Sequence, residues 1–521
     1  MDMNNIKQIE NATQFGIKDI RKIGIVIIFM FIASLIAVVC SNTSNNILLI
    51  VSVVIGMYMA MNIGANDVAN NVGPAVGSKT MTMFVAIVIA VIFEASGAII
   101  AGGDVVNTIR SGIVSQDAFK DVNIFIAVML SALIAGALWL NLATIVGAPV
   151  STTHSIVGAL VGSSIAAGSF GVVNWGVMLG IAASWLISPV IGGVIAVVFL
   201  IVIKRTITYK QDKLQAAKKV VPILLFVMAF TFILYLFQKG LSKVVTINLP
   251  VQIIISIILA IIIFIATKPI ITKKANSLNN TKDSIGELFT IPLIFAAALL
   301  SFAHGASDVS NAIGPLAAIN QAISGIMEAK SPVPLWIMIL GGFGISIGLA
   351  LYGPKLIRTV GNEITELDKI RATCIALSAT ITVLVASALG LPVSSTHIAI
   401  GAIFGIGFVR EYIKSNYKKM KEEIIQAYRG RDAQVVQKFL DDFEKSSLEK
   451  KQLIIKELKT KQKTLPFNKK DKRALKKSVQ QELVKRSMII KIIAAWLITV
   501  PVSAIISAVA FFIIVQFADK F

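Results

Sequence analysis

Charged residues are scarce in this chain and unevenly spread. Only 15% of its 521 residues are charged, and the stretches Ile23–Cys40, Phe84–Gly103 and Ile253–Thr267 hold at most one each. Uncharged stretches of that length argue against a soluble globular domain, because a helix crosses a bilayer core on about 20 apolar residues. Cysteine is nearly absent. Cys40 and Cys374 both lie inside apolar segments, so no disulfide framework is implied. Histidine is limited to three residues, and no compact metal-ligand cluster is visible in the sequence. There is no Gly-x-x-x-x-Gly-Lys-[Ser/Thr] loop and no nucleophile–base constellation, so neither ATP-driven transport nor an enzyme is supported. Acidic residues are outnumbered, with 28 Asp+Glu against 49 Lys+Arg and a net charge of +21. In a soluble protein that balance would suggest nucleic acid. Here it fits basic loops on the cytoplasmic face of a membrane, with no nucleic-acid partner.

What is present is hydrophobic. Apolar residues make up 56% of the chain, against roughly 45–50% in an average soluble protein. Apolar blocks fall near 23–40, 46–63, 83–103, 123–146, 151–168, 176–203, 220–238, 249–268, 289–303, 335–353, 371–389, 394–409 and 488–515. The expected fold is all-α and polytopic, with about 12 spans. The blocks 151–168 and 394–409 are short and glycine-rich, and read as full spans, half-spans or arms of re-entrant hairpins. Asp2, Glu10 and Asp19 precede the first block without a small-residue cleavage site, so that block reads as a retained span. The opening stretch, with Ile6, Ile9, Ile17 and Ile20 among charges, reads as an amphipathic surface helix or a disordered tail.

Three motifs recur in the same order. Gly64-Ala65-Asn66-Asp67-Val68-Ala69-Asn70 is matched by Gly305-Ala306-Ser307-Asp308-Val309-Ser310-Asn311, and each run is followed shortly by Gly-Pro. Pro149-Val150-Ser151-Thr152-Thr153-His154 is matched by Pro392-Val393-Ser394-Ser395-Thr396-His397. Trp185-Leu186-Ile187 with Pro189 is matched by Trp496-Leu497-Ile498 with Pro501. This order divides the chain into an N-terminal segment with the first span (1–45), a first repeat (46–203), a linker with two spans (204–288), the first part of a second repeat (289–409), a basic insert (410–487) and the last span (488–521). From Arg410 to Lys491 the chain carries 24 Lys+Arg against 11 Asp+Glu. This basic run precedes the second Trp-Leu-Ile helix, whereas the basic loop Lys204–Lys219 follows the first. With both basic segments cytoplasmic, the two equivalent helices cross in opposite directions, which is an inverted repeat of the kind found in secondary transporters. The insert reads as a solvated cytoplasmic excursion, or as a regulatory or lipid-headgroup-binding module.

The repeated motifs carry the candidate chemistry. A carboxylate at bilayer depth costs roughly 2.5–3.5 kcal/mol on insertion scales and is normally functional. Asp67 and Asp308, with Asn66, Asn70, Ser307 and Asn311, read as oxygen-rich cation sites, the Gly-Pro steps being expected to break the helix and free carbonyls. The competing reading, close helix packing, explains Gly64 and Gly305 but not paired Asp and Asn residues. Ser151, Thr152 and Thr153, like Ser394, Ser395 and Thr396, read as hydroxyl-rich helix N-termini suited to an anion. Ordinary capping accounts for only one Ser in each run. Glu94, His154 and His397 are coupling or gating candidates, and Glu94 has no evident partner in the repeat. Arg110 and Arg358 follow their spans and read as interfacial.

These motifs resemble those of the PiT family of inorganic phosphate transporters, whose signature Gly-Ala-Asn-Asp-Val-Ala-Asn stands intact at 64–70. The resemblance covers roughly 46–203 and 289–515. It implies an inverted-repeat symporter in which phosphate lies between the halves and Na⁺ or H⁺ is the coupling ion. Na⁺ would be held at Asp67, Asn70, Asp308 and Asn311, and no cofactor is implied. It further implies a homodimer, with localisation in the cytoplasmic (inner) membrane. Glu94 matches a membrane glutamate of the family. A second glutamate found in some members is absent, since that region reads Cys374-Ile375-Ala376-Leu377-Ser378. The alternatives are a sulfate permease of the same fold, an uncoupled anion channel or a membrane receptor.

Overall fold

The computed structural model describes residues 3–41, 46–119, 121–146, 150–240, 247–325, 332–363, 368–414, 425, 431–445 and 486–518. In the first part of the chain the helices are α1 (Met3–Cys40), α2 (Asn46–Asn66), α3 (Ala69–Gly77), α4 (Met83–Ala101), α5 (Gly103–Asn107), α6 (Val122–Val146), α7 (Thr152–Gly168) and α8 (Trp175–Ile203). Then follow α9 (Lys213–Tyr235), α10 (Leu249–Asn276), α11 (Lys282–Leu288), α12 (Thr290–Asp308), α13 (Ser310–Ile323), α14 (Leu335–Glu363), α15 (Lys369–Ala388) and α16 (Ser395–Lys414). The last two are α17 (Arg431–Lys445) and α18 (Arg486–Ala518). All thirteen apolar blocks are helical. Among the described residues, 11 helices are long and apolar enough to cross a membrane, counting α2–α3 and α12–α13 as one each. The two short blocks are the exceptions: α7 has 17 residues, and the apolar part of α16 is Ser395–Val409.

The chain forms two units, Met1–Ala402 with Ile492–Phe521, and Ile403–Lys491. In the second, α17 buries Val436, Leu440 and Phe443. Their spacing of four and three residues is that of one helix face, and most of the basic insert lies outside the described residues.

The position of the helix breaks departs from expectation. Pro74 and Pro315 lie inside α3 and α13. The chain breaks earlier, at Asp67-Val68 and at Val309, where α2 gives way to α3 and α12 to α13. The break is a tight turn, with Asn70 N–H bonded to the Asp67 carbonyl at 3.0 Å and Ala312 N–H to the Val309 carbonyl at 3.1 Å. Proline is tolerated one turn later because it removes a single helical bond rather than ending the helix. The carbonyls left without that donor, four residues back, belong to Asn70 and Asn311.

Packing repeats between the halves of the first unit. A Cβ on Gly64 of α2 would lie 1.9 Å from the Ile345 carbonyl oxygen of α14, and one on Gly305 of α12 would lie 2.1 Å from the Glu94 carbonyl oxygen of α4. Likewise, a Cβ on Gly162 of α7 would meet Ala504 O of α18 at 2.1 Å, and one on Gly401 of α16 would meet Pro189 O of α8 at 2.2 Å. At these four crossings a helix of one half therefore packs on a helix of the other half, in equivalent pairs and at backbone contact that only glycine permits.

The segment after α4 also differs from expectation. Residues 108–112 continue as a π-helical turn against α13, where a Cβ on Gly314 would meet Ile109 Cγ2 at 2.7 Å. Arg110 is consequently buried. The side chain of Arg358 lies outside the described residues.

Gly64→Ala and Gly305→Ala should each destabilise the protein by about 1–3 kcal/mol or more, as overpacking does. Gly24→Ala has nothing within 4 Å of the new methyl and should not. Thermal unfolding of the three variants in detergent checks this; equal melting temperatures would contradict the packing.

Candidate functional site

The breaks bring the repeated motifs together. Asp67 opens the first break and Asp308 is the last residue of α12 before the second, and α7 and α16 begin beside them. Thr152 Oγ1 donates to Asp67 Oδ2 at 2.8 Å, and its counterpart Ser395 Oγ donates to Asp308 Oδ2 at 2.9 Å. Asn70 Nδ2 donates to Thr396 Oγ1 at 2.9 Å, and its counterpart Asn311 Nδ2 donates to Thr153 Oγ1 at 3.1 Å and to Thr152 Oγ1 at 3.2 Å. Each Asp thus holds a hydroxyl from its own half, and each Asn holds hydroxyls from the other half. Apart from half-buried Asn70, all of these side chains are buried. The carboxylates, amides and hydroxyls read as separate cation and anion segments in the sequence form one network.

Ser151 and Ser394 behave differently from the hydroxyls that follow them. Ser151 Oγ accepts from His154 N–H at 3.2 Å, and Ser394 Oγ accepts from His397 N–H at 3.3 Å. Both are N-caps, each worth about 1 kcal/mol to its helix. His154 Nδ1 also lies 2.8 Å from Ser151 Oγ. The His154 ring stacks on Trp185 at 3.7 Å and meets His397 edge-on at 4.7 Å. Trp185 Nε1 in turn donates to Pro392 O at 3.0 Å, so an aromatic cluster joins the halves beneath the two helix starts. Pro149 and the ring of Trp496 lie outside the described residues. Asn66 and Ser307 are buried beside the two Asp residues.

Glu94 has hydrogen-bond partners, though not an acidic counterpart in the second repeat. Its Oε2 is 2.8 Å from His304 Nδ1, and its Oε1 accepts from Asn71 Nδ2 at 2.8 Å. The other nitrogen of the same ring, His304 Nε2, comes within 2.9 Å of Asp308 Oδ2, close enough for an ion pair but too bent for a hydrogen bond. Asp67, His304 and Asp308 each offer a ligand atom, all within 4.8 Å of one another. The sequence reading left out His304 and Asn71, and saw no compact cluster. The available signal was the departure of His304 from its repeat counterpart Ile63.

Acidic groups crowd together here. Two ionised carboxylates with oxygens within 4.8 Å of one another repel by at least about 3.5 kcal/mol at an effective dielectric near 20. Even a charged His304 offsets only one of three acidic groups when Asp67, Glu94 and Asp308 are ionised. Asp308 Oδ1 and Asn311 Oδ1 are buried with no hydrogen-bond partner among the described residues. Hard cations take such oxygens as ligands. The N-termini of α7 and α16 supply the opposite character: amide N–H groups and hydroxyls that suit an oxyanion.

Paired helix breaks buried in a bundle of membrane-length helices, lined by donors of both kinds, define a multi-pass membrane transport protein. A family model described as the phosphate transporter family matches residues 63–507, and the chain belongs to that family. It is 52% identical over its whole length to a Helicobacter pylori (strain 26695) protein provisionally named a phosphate permease, which it also covers entirely. A similarly named Pyrococcus furiosus protein is 38% identical over 388 residues, 73% of this chain and 91% of that one. The solved structure of "The sodium-dependent phosphate transporter" aligns with a TM-score of 0.73 and 30% identity, covering 90% of this chain and 99% of that one.

The cross-repeat bonds make a specific expectation. Asn311→Ala and Thr153→Val should each weaken phosphate binding by about tenfold, near the 1.5 kcal/mol of one buried hydrogen bond. In a double-mutant cycle read by isothermal titration, the double variant should lose little more than either single one. Fully additive losses would show that the two side chains act separately.

Proposed function

We propose that this chain imports inorganic phosphate across the cytoplasmic membrane by symport with Na⁺. The observation that carries the reading is the pairing of Thr152 with Asp67 and of Ser395 with Asp308. The hydroxyl protons of Thr152 and Ser395 are engaged by carboxylates, and that of Thr153 by the Val393 carbonyl at 3.1 Å. An anion arriving alone meets acidic groups and committed donors. A cation bound at Asp67, Asp308, Asn70 and Asn311 neutralises the acids and releases Thr152 and Ser395 to turn toward phosphate. Cation and anion then bind with positive coupling, and by linkage each raises the affinity for the other by the same factor.

Phosphate is favoured over sulfate on the same chemistry. Hydrogen phosphate carries a proton that it can donate to an acceptor such as Asp308 Oδ1, whereas sulfate has none to give. An uncoupled channel is disfavoured because buried acids would repel a freely passing anion. Four residues make the coupling, and none needs a cofactor.

Labelled-phosphate uptake into proteoliposomes tests the reading. An inward Na⁺ gradient should drive accumulation, sulfate should compete poorly, and Asp67→Asn or Asp308→Asn should cut Na⁺-driven uptake at least tenfold, about 1.4 kcal/mol. Accumulation that follows an imposed pH gradient with Na⁺ absent would make H⁺ the coupling ion. Indifference to both gradients would end the symport reading.

A further inference from the structure

The linker helix α10 is half uncovered. It packs on α9, while Ile254, Ile258, Ile262 and Ile265 of its other face are exposed. That apolar strip leads into a groove of about 440 Å³ lined by Lys268, Pro269, Thr272, Lys273 and Asn276. We propose that this groove is a binding site for an anionic phospholipid, whose acyl chains lie along the isoleucines and whose phosphodiester meets the lysines.

Three observations support that occupant over others. The exposed Lys268 carries its ammonium over the Phe264 ring, 5.6 Å from the centroid and one turn back toward the apolar strip. A helical side chain leans toward the N-terminus of its helix, so the charge lies at the end of the isoleucine strip, within reach of a headgroup whose acyl chains run along it. Lys273 is exposed at the same groove, one and a half turns further on. Asn276 Oδ1 accepts from Lys218 Nζ at 2.6 Å, which adds a third cation at the rim and leaves the amide NH₂ as a donor. Thr272 takes no part as a donor, because its hydroxyl is bonded to the Lys268 carbonyl at 2.8 Å.

The C-terminus of α10 carries about half a negative charge, which alone would repel an anion. Three ammonium groups outweigh it. Glu287, the acid that pairs with Lys274 of α10, is engaged by Lys369 at 2.8 Å and Lys274 at 3.6 Å, so it does not cancel Lys268 or Lys273. A soluble acidic protein would find the lysines but has no use for the isoleucine strip beside them. A lipid matches both.

Native mass spectrometry of the full chain, titrated with phosphatidylglycerol or phosphatidylcholine of identical acyl chains, tests the site. Phosphatidylglycerol should bind at least tenfold more tightly. Lys268→Gln with Lys273→Gln should weaken it about 25-fold, at roughly fivefold per basic residue, with phosphatidylcholine unaffected. The charge-keeping pair Lys268→Arg with Lys273→Arg should retain affinity, which guards against misfolding of the first variant. Lys210→Gln with Lys219→Gln, outside the groove, should change affinity less than twofold. Equal binding of the two lipids, or an equal loss in the Lys210/Lys219 variant, would overturn the proposal. Displacement of phosphatidylglycerol by millimolar inorganic phosphate would do so as well, and would assign the groove to free phosphate.

Discussion

The bond between a helix-start hydroxyl and a carboxylate at a helix break is the constraint around which the rest is arranged. An Asp at this depth is tolerable only with partners, and those partners must come from outside its own helix. Thr152 and Ser395 supply them at 2.8 and 2.9 Å. To do so, α7 and α16 must begin level with the breaks rather than at a membrane surface. That requirement accounts for their shortness. It also accounts for the serine caps: Ser151 and Ser394 stop the helices at this level, so that the next residues face the acids. The glycine contacts serve the same end. Backbone-to-backbone approach at Gly64 and Gly305 holds α2 and α12 close to the neighbours that surround the site.

The cross-repeat amides add a second layer. Because Asn70 and Asn311 each hold hydroxyls of the opposite half, the site cannot form within one half alone. Duplication here is therefore more than two copies of a site. One composite site needs both copies, and displacement of one half relative to the other must alter its hydrogen bonds. Among the described residues, Asp308 Oδ1, Asn311 Oδ1 and Ser307 Oγ are buried oxygens of this region without a hydrogen-bond partner. A buried, acidic network of this kind is stabilised by taking up positive charge, as a proton or as a metal cation.

Much of this was legible in the sequence, because membrane insertion simplifies the reading. Long apolar blocks become helices, and the thirteen blocks did. Polar runs inside them mark the site, and the repeat of Asp67 and Asp308 with Asn70 and Asn311 named its members. What the sequence hid was geometry between residues far apart in number. The Gly-Pro steps drew attention to themselves, yet Pro74 and Pro315 sit inside helices and the breaks fall at Asp67 and Val309. Arg110 looked interfacial because it follows an apolar block. The π-helical turn that carries it back under α13 leaves no periodic signal. The contact of Glu94 with His304 was hidden because the two residues are 210 positions apart, in different halves.

That last contact shows how far the halves have diverged. Gly305 faces the backbone of Glu94, and Gly64 faces that of Ile345. The two crossings are equivalent, so Ile345 stands where Glu94 would, and Ile63 stands where His304 would. One crossing holds a buried acid–imidazole contact that reaches on to Asp308; its twin holds two buried isoleucines. Asp67 is left with hydroxyl donors alone, Thr152 at 2.8 Å and Thr396 at 3.5 Å. Asp308 shares its Oδ2 between Ser395 and His304. The two aspartates match in sequence but not in electrostatic surroundings. On the proposed reading, a cation arriving in the cluster meets a less compensated carboxylate at Asp67 and an oxygen without a hydrogen-bond partner at Asp308, so the pair forms one lopsided site rather than two like ones. The two crossings share a scaffold, and the histidine and glutamate at one of them, where the other holds two isoleucines, make the centre asymmetric.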